Sequence, residues 1–243
     1  MAVAERVVIS GAGCCTALGH DLDSVARSLR EGRDAFRASG ALEGLSVCPA
    51  EDWGQDGARQ QFEGWRHRHY LNRGSRMAVL SGLRALRDAG LEAGLPVRSQ
   101  IIAAVGPMLD VTGEPGLPPQ DTATLGALWL LRWLPNTAAG ALARFARCHG
   151  EALTVNAACA SALQALGEGW RRIRFGLADA VLVAAGDSRL SLGGLLGYHK
   201  ARALSLCAPG TGPRPFDMGR DGFVPGEGGA AFVLESLSSA QAR

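Results

Sequence analysis

The sequence predicts an α/β fold, with helices covering a sheet, and three observations carry that expectation. Short apolar runs alternate with longer amphipathic ones. Of the 243 residues, 47% are hydrophobic, enough to bury a large core. No internal repeat, low-complexity tract or linker divides the chain, so residues 1–243 are expected to form one compact unit.

The elements follow in order. Val7 to Ser10 reads as a buried strand. Gly11-Ala12-Gly13 supplies two glycines of a dinucleotide fingerprint, but Thr16 stands where the third belongs and no helix pattern opens there. A tight glycine turn leaving the strand is the expectation. Residues 40 to 68 mix Gly, Trp, Gln and His without a period and read as irregular. Asn72 to Ala89 reads as a helix, with Met77, Leu80, Leu83 and Leu86 at helical spacing and Gly90 to stop it. Ile101 to Val105 is the next strand, followed by an irregular stretch, 106 to 121, holding Pro107, Pro115, Pro118 and Pro119. Leu153 to Val155 is a short strand that runs into a helix from Ala160 to Phe175. That helix places Leu163, Leu166, Trp170 and Ile173 at apolar spacing, with Glu168 and Arg172 four apart on the outer face. Ala180 to Ala185 and Ala230 to Leu234 complete the strands.

Composition excludes several classes of function. The formal charge is +2, from 25 basic and 23 acidic residues without long runs, so no basic field exists for a phosphate backbone, and nucleic acid is not an expected partner. Six cysteines, at 14, 15, 48, 148, 159 and 207, are too sparse for a disulfide scaffold and read as reduced thiols. The N-terminus is unlike a signal peptide, and no uncharged apolar stretch reaches the roughly 18 residues of a membrane helix. A soluble, cytoplasmic protein is expected. Cys148 and His149 are adjacent, but no pair of ligands has zinc spacing. His20, His67, His69 and His149 read as surface or structural residues, and no metal site is expected.

Two segments carry candidate chemistry. In Thr154-Val155-Asn156-Ala157-Ala158-Cys159-Ala160-Ser161-Ala162, a strand passes through small residues directly into a helix. A cysteine there faces the unsatisfied N–H groups and positive end of the helix, which favour a thiolate. Small neighbours admit a substrate carbonyl, and backbone N–H groups can hold an oxyanion. The same pattern also fits a cysteine used for packing. The second segment, Arg214 to Ala230, packs two Arg, two Asp and one Glu among glycines and aromatics; such charges near a core are expected to pair and shape a loop.

Together these residues resemble the β-ketoacyl synthases, the thiolase-fold condensing enzymes of fatty-acid and polyketide assembly. The resemblance runs from Val7-Val8-Ile9-Ser10-Gly11-Ala12-Gly13 through Tyr70 to Ala78, Leu134-Pro135-Asn136 and the segment around Cys159. It continues through Gly176-Leu177-Ala178-Asp179-Ala180 with Gly186, Ala203-Leu204-Ser205, and Arg214-Pro215-Phe216-Asp217 to Gly228. It implies a thiolase-like fold, here the first half of a duplicated α/β/α layered architecture with a mixed five-stranded sheet. It also implies that Cys159 accepts an acyl group as a thioester for decarboxylative condensation with a malonyl thioester. Met108 and Leu109 resemble positions lining the acyl pocket. No metal or redox cofactor is implied, because the substrate arrives on the phosphopantetheine of an acyl carrier protein or coenzyme A. The implied partners are that carrier protein and a second ketosynthase-type chain, in a homodimer or heterodimer.

One departure from the family is visible. Its second half supplies two histidines that assist decarboxylation, and no His-Gly-Thr tripeptide occurs here; His199 falls in a Gly-Tyr-His-Lys stretch that matches neither position. The sequence therefore reads as the nucleophile-bearing N-terminal domain, with the C-terminal half absent from the chain. Three functions remain open: an enzyme completed by a second half or partner, a non-catalytic subunit of the chain-length-factor type, or a chain that only acylates or hydrolyses thioesters. A first half standing alone is expected to expose an apolar patch and to associate.

Overall fold

The computed structural model describes residues 5–107, 127–207 and 212–243. Met108 and Leu109 lie outside those residues. The main sheet has five strands: β1 (Val7–Thr16), β4 (Ser99–Val105), β5 (Ala152–Thr154), β6 (Ala180–Ser188) and β7 (Glu227–Ser236). Their spatial order is β1-β7-β6-β4-β5. β4 is parallel to β5 and β6, whereas β7 runs antiparallel to both β6 and β1. The sheet is therefore mixed, as expected. A short antiparallel pair, β2 (Arg37–Ala38) with β3 (Ser46–Val47), stands apart from it.

Helices cover both faces. On one lies α3 (Arg73–Asp88), with α2 (Gly57–Glu63) and α4 (Thr137–Phe145) beside it, and this side holds the larger apolar cluster, including Met77, Leu80, Leu86, Ile101, Leu142 and Leu182. On the other lies α5 (Ser161–Arg174), over Ile102, Val181, Val183 and Leu234. The remaining helices, α1 (Leu22–Arg30), α6 (Leu192–Lys200) and α7 (Leu237–Gln241), flank these layers.

The expected helix over 72–89 forms as its signals dictate. The Asn72 side chain accepts a hydrogen bond from the Ser75 N–H at 2.8 Å, satisfying one orphan donor of the first turn. At the other end Ala89 is the C-cap. Gly90 follows it in the left-handed region (φ 69°), and the Leu91 N–H bonds the Leu86 carbonyl to close the end.

Three expectations need correction. Gly11 to Gly13 is not a turn: both glycines lie inside β1, which continues to Thr16. A Cβ on Gly11 would overlap the Ala85 carbonyl, and one on Gly13 the Ser81 carbonyl, so these positions lack side chains to let α3 settle on the strand. Residues 40 to 68 are not wholly irregular, since they contain β3, α2 and the start of a 3-10 turn over Arg66–Tyr70. Asp56 starts α2 by accepting the Arg59 N–H. Finally, α5 does not bury all four large residues of its expected apolar face. Ala165, Gly169 and Ile173 face the sheet, while Leu163 is 75% and Trp170 47% exposed. The helix lies too close for larger side chains: a Cβ on Gly169 would sit 3.0 Å from Leu234 and Val183.

Candidate functional site

The polarity of the strands decides where a site can form. β4, β5 and β6 are parallel, and β1 shares their direction because β7 is antiparallel to both β1 and β6. The carboxyl ends of four strands and the amino end of β7 therefore meet at one edge of the sheet, the edge where open α/β sheets bind ligands. A cleft of about 600 Å³ opens there. Thr16 ends β1 on its rim, Gly106 follows β4, Asn156 and Cys159 follow β5, Asp187 and Arg189 come from the end of β6, and Gly228 opens β7.

Cys159 is exposed in this cleft and sits in a single 3-10 turn, Ala158–Ala160, that runs directly into α5. The turn is strained: Ala158 has φ 51°, a left-handed conformation that costs an alanine on the order of 1 kcal/mol. Ser161 straps it. Its hydroxyl accepts the Ala157 N–H at 2.7 Å and donates to the Ala158 carbonyl at 2.8 Å. The Ala160 N–H is taken up by the Ala157 carbonyl, whereas the Cys159 N–H has no hydrogen-bond partner among the described residues. Small residues, Ala104, Ala162, Ala185, Gly186, Gly229 and Ala230, form most of the rest of the wall, with Tyr198 of α6 beside them, so an acyl carbonyl can approach the thiol.

All six cysteines are free, and their settings differ. Burial pushes the Cys14 and Cys148 thiols up, and the Cys15 thiol up to about 11, as expected of packing residues. Cys148 donates to the Ser99 carbonyl, which leaves its neighbour His149 exposed and unrelated to the cleft. Cys207 lies beside Asp221 and Arg214.

The charges from Arg214 to Glu227 are paired only in part: Arg214 lies 3.8 Å from Asp221 and Glu227 pairs with Arg73 of α3, whereas Arg220 donates to the Asp217 main-chain carbonyl and the Asp217 carboxylate accepts the Gly219 N–H. The Glu227 side chain is fully buried and accepts from Arg73 at 2.5 and 2.7 Å, from the Ser188 hydroxyl at 2.6 Å and from the Ala50 N–H at 3.0 Å. This network ties the start of β7 to α3 and β6 directly behind the cleft. Asp221 accepts from Ser205 and from the Leu206 N–H, bonds that hold its carboxyl below the usual range and fix the loop before β7.

Sequence reasoning missed Tyr198 of the cleft wall, and with it two charged residues, Asp187 and Arg189. A usable signal existed for the charged pair, because both directly follow an expected buried strand, at the end where such sheets place ligands. No histidine lines the cleft among the described residues.

Comparison with known proteins places these features in a family. Residues 4–240 match the model described as the N-terminal domain of β-ketoacyl synthase. The chain is 25% identical to the 3-oxoacyl-[acyl-carrier-protein] synthase 2 of Vibrio cholerae, over 98% of its own length and 60% of that protein. It is 31% identical to the tetracenomycin polyketide synthase ketoacyl synthase alpha subunit of Streptomyces glaucescens, over 71% of its own length and 43% of that chain. Among solved structures it resembles the ishigamide ketosynthase/chain length factor, with a TM-score of 0.79 and 26% identity over 99% of this chain and 60% of that one. The chain thus spans about 60% of the length of relatives that it matches from end to end.

Proposed function

The chain belongs to the β-ketoacyl synthase family through its N-terminal domain, and from that premise we propose that it is the nucleophile-bearing half of a β-ketoacyl-[acyl carrier protein] synthase of fatty-acid or polyketide assembly. Cys159 is the acyl acceptor. The observation that carries this reading is its place: an exposed thiol at the amino end of α5, in the cleft where the strand ends converge.

The acylation step follows from that geometry. The Cys159 sulfur adds to the carbonyl carbon of an acyl thioester, and the carbonyl π pair moves to oxygen. The free Cys159 N–H is positioned to receive that oxyanion. Collapse re-forms the carbonyl, breaks the bond to the carrier sulfur and leaves the acyl group on Cys159; the departing thiolate takes up the proton that the cysteine gave up. One hard acyl transfer is thereby divided into two easier ones. No metal or redox group takes part, since the reacting acyl group arrives on phosphopantetheine. The condensation that follows needs donors at the malonyl thioester oxygen, and with no histidine in the cleft wall among the described residues we assign them to a second half or partner chain.

The partners we propose are an acyl carrier protein and a second ketosynthase-type chain, and the compartment is the cytoplasm. A non-catalytic role beside a true ketosynthase is disfavoured by the accessible thiol. Acylation tests the proposal. Incubation with an acyl-pantetheine thioester is expected to add the acyl mass to the intact protein, and Cys159→Ala to abolish the adduct; equal labelling of the two proteins overturns the assignment.

A further inference from the structure

The cleft beside Cys159 is walled mostly by alanine and glycine, but a guanidinium enters it at one place. Arg189 lies in the short link between β6 and α6. Its backbone is confined there: Ser191 caps α6 by accepting the Gly194 N–H, and a Cβ on Gly194 would come within 2.6 Å of the Arg189 carbonyl. The side chain is only 16% exposed and is held at two points. Nε donates to Asp187 Oδ2 at 2.9 Å, and Nη1 donates to the Pro107 carbonyl at 3.0 Å. Nη2 lies over Gly106, where a Cβ would overlap it, so glycine at 106 makes the space that the guanidinium occupies.

Those two bonds leave donors over. A guanidinium carries five N–H groups, and Nη2 has no partner among the described residues. Donors largely withdrawn from water and left unpaired are costly, so an acceptor brought in by a ligand is favoured. The nature of that acceptor is restricted. Asp187 already offsets the charge of Arg189, and a carboxylate on the ligand would meet that of Asp187, whereas a neutral carbonyl or hydroxyl oxygen meets only the free donors. Hydrocarbon alone would leave them unsatisfied.

We propose that Arg189 is a specificity-determining residue, selecting acyl groups that carry a neutral oxygen acceptor along the chain over plain alkyl chains of the same length. The proposal rests on the reading of Cys159 as the acyl acceptor, and it narrows the substrate class of that site to oxo- or hydroxyacyl groups.

Acylation of Cys159 by hexanoyl-, 3-oxohexanoyl- and 5-oxohexanoyl-pantetheine, followed by intact mass, tests it in wild type, Arg189→Met and Gly106→Ala. The last variant displaces the guanidinium while keeping the arginine. Intrinsic differences in thioester reactivity cancel when the oxo-to-plain rate ratio is compared between proteins. For at least one oxo isomer that ratio is expected to fall about tenfold in both variants, the scale of one hydrogen bond to a charged group. A mere loss of folding would slow all three thioesters together and leave the ratio standing. Ratios unchanged from wild type, with all proteins acylated, overturn the role of Arg189 alone. No adduct with any thioester overturns the acyl-acceptor reading and this proposal with it.

Discussion

Ala158 holds the strained backbone of the reactive turn, and Ser161 keeps it there. A residue without a Cβ adopts φ near 50° freely, so Ala158→Gly is expected to stabilise the folded chain by about 1 kcal/mol. Urea unfolding followed by circular dichroism checks this; a lowered midpoint would show that the turn is not strained. Such details were only partly legible in the sequence. Cys159 stood out because small residues between a strand and a helix are an uncommon surrounding for a thiol, although that pattern alone did not separate nucleophile from packing. The strain at Ala158 left no trace, since alanine is not a residue that marks a left-handed turn. Arg189 was equally silent, because a lone arginine after a strand belongs to no periodicity, and its meaning depends on Asp187 close by and on Gly106 and Pro107 arriving from the distant end of β4.

At the scale of elements, legibility followed side-chain size. Helix α3 was readable because its inward face is built of Met and Leu and its ends carry Asn72 and Gly90. Strand β1 and helix α5 were misread for a shared reason: where elements approach closely, the packing surface is made of Gly and Ala, which a hydrophobic period does not register. The same geometry makes substitutions at glycine predictable in sign. Gly13→Ala forces a methyl group into the backbone of α3 and is expected to destabilise by about 3 kcal/mol, at the upper end of overpacking costs, because backbone yields less readily than a side chain. Gly140→Ala, in α4 with nothing within 4 Å of the new methyl, is expected to stabilise by about 0.5–1 kcal/mol through helix propensity. Thermal unfolding of the two variants is expected to move in opposite directions; a loss of stability in both would refute the distinction.

For the whole molecule, the layered α/β architecture was legible from alternation alone, and the mixed sheet from the family resemblance. What covers its outer surfaces was not. Leu163 and Trp170 lie two turns apart on α5, and Phe175 and Leu177 follow them, all exposed. Exposed apolar side chains grouped in this way are characteristic of association surfaces. The isolated chain is therefore expected to elute ahead of a monomer in gel filtration, and Leu163→Glu with Trp170→Glu to return it to the monomer position. A wild-type chain that runs as a monomer at all concentrations removes the case for this surface.

Gly186 and Gly229 belong to two surfaces at once. Each lines the reactive cleft, and each is bare on its other side because α3 presses on it, with Ala78 against Gly186 and the Met77 carbonyl group against Gly229. The cleft floor here is consequently a membrane of main chain, with no side-chain padding to absorb displacement. Changes in α3 that never touch an acyl group can be transmitted through that floor, so the choice of substrate can drift by mutation on the hidden face of the sheet as well as within the cleft itself.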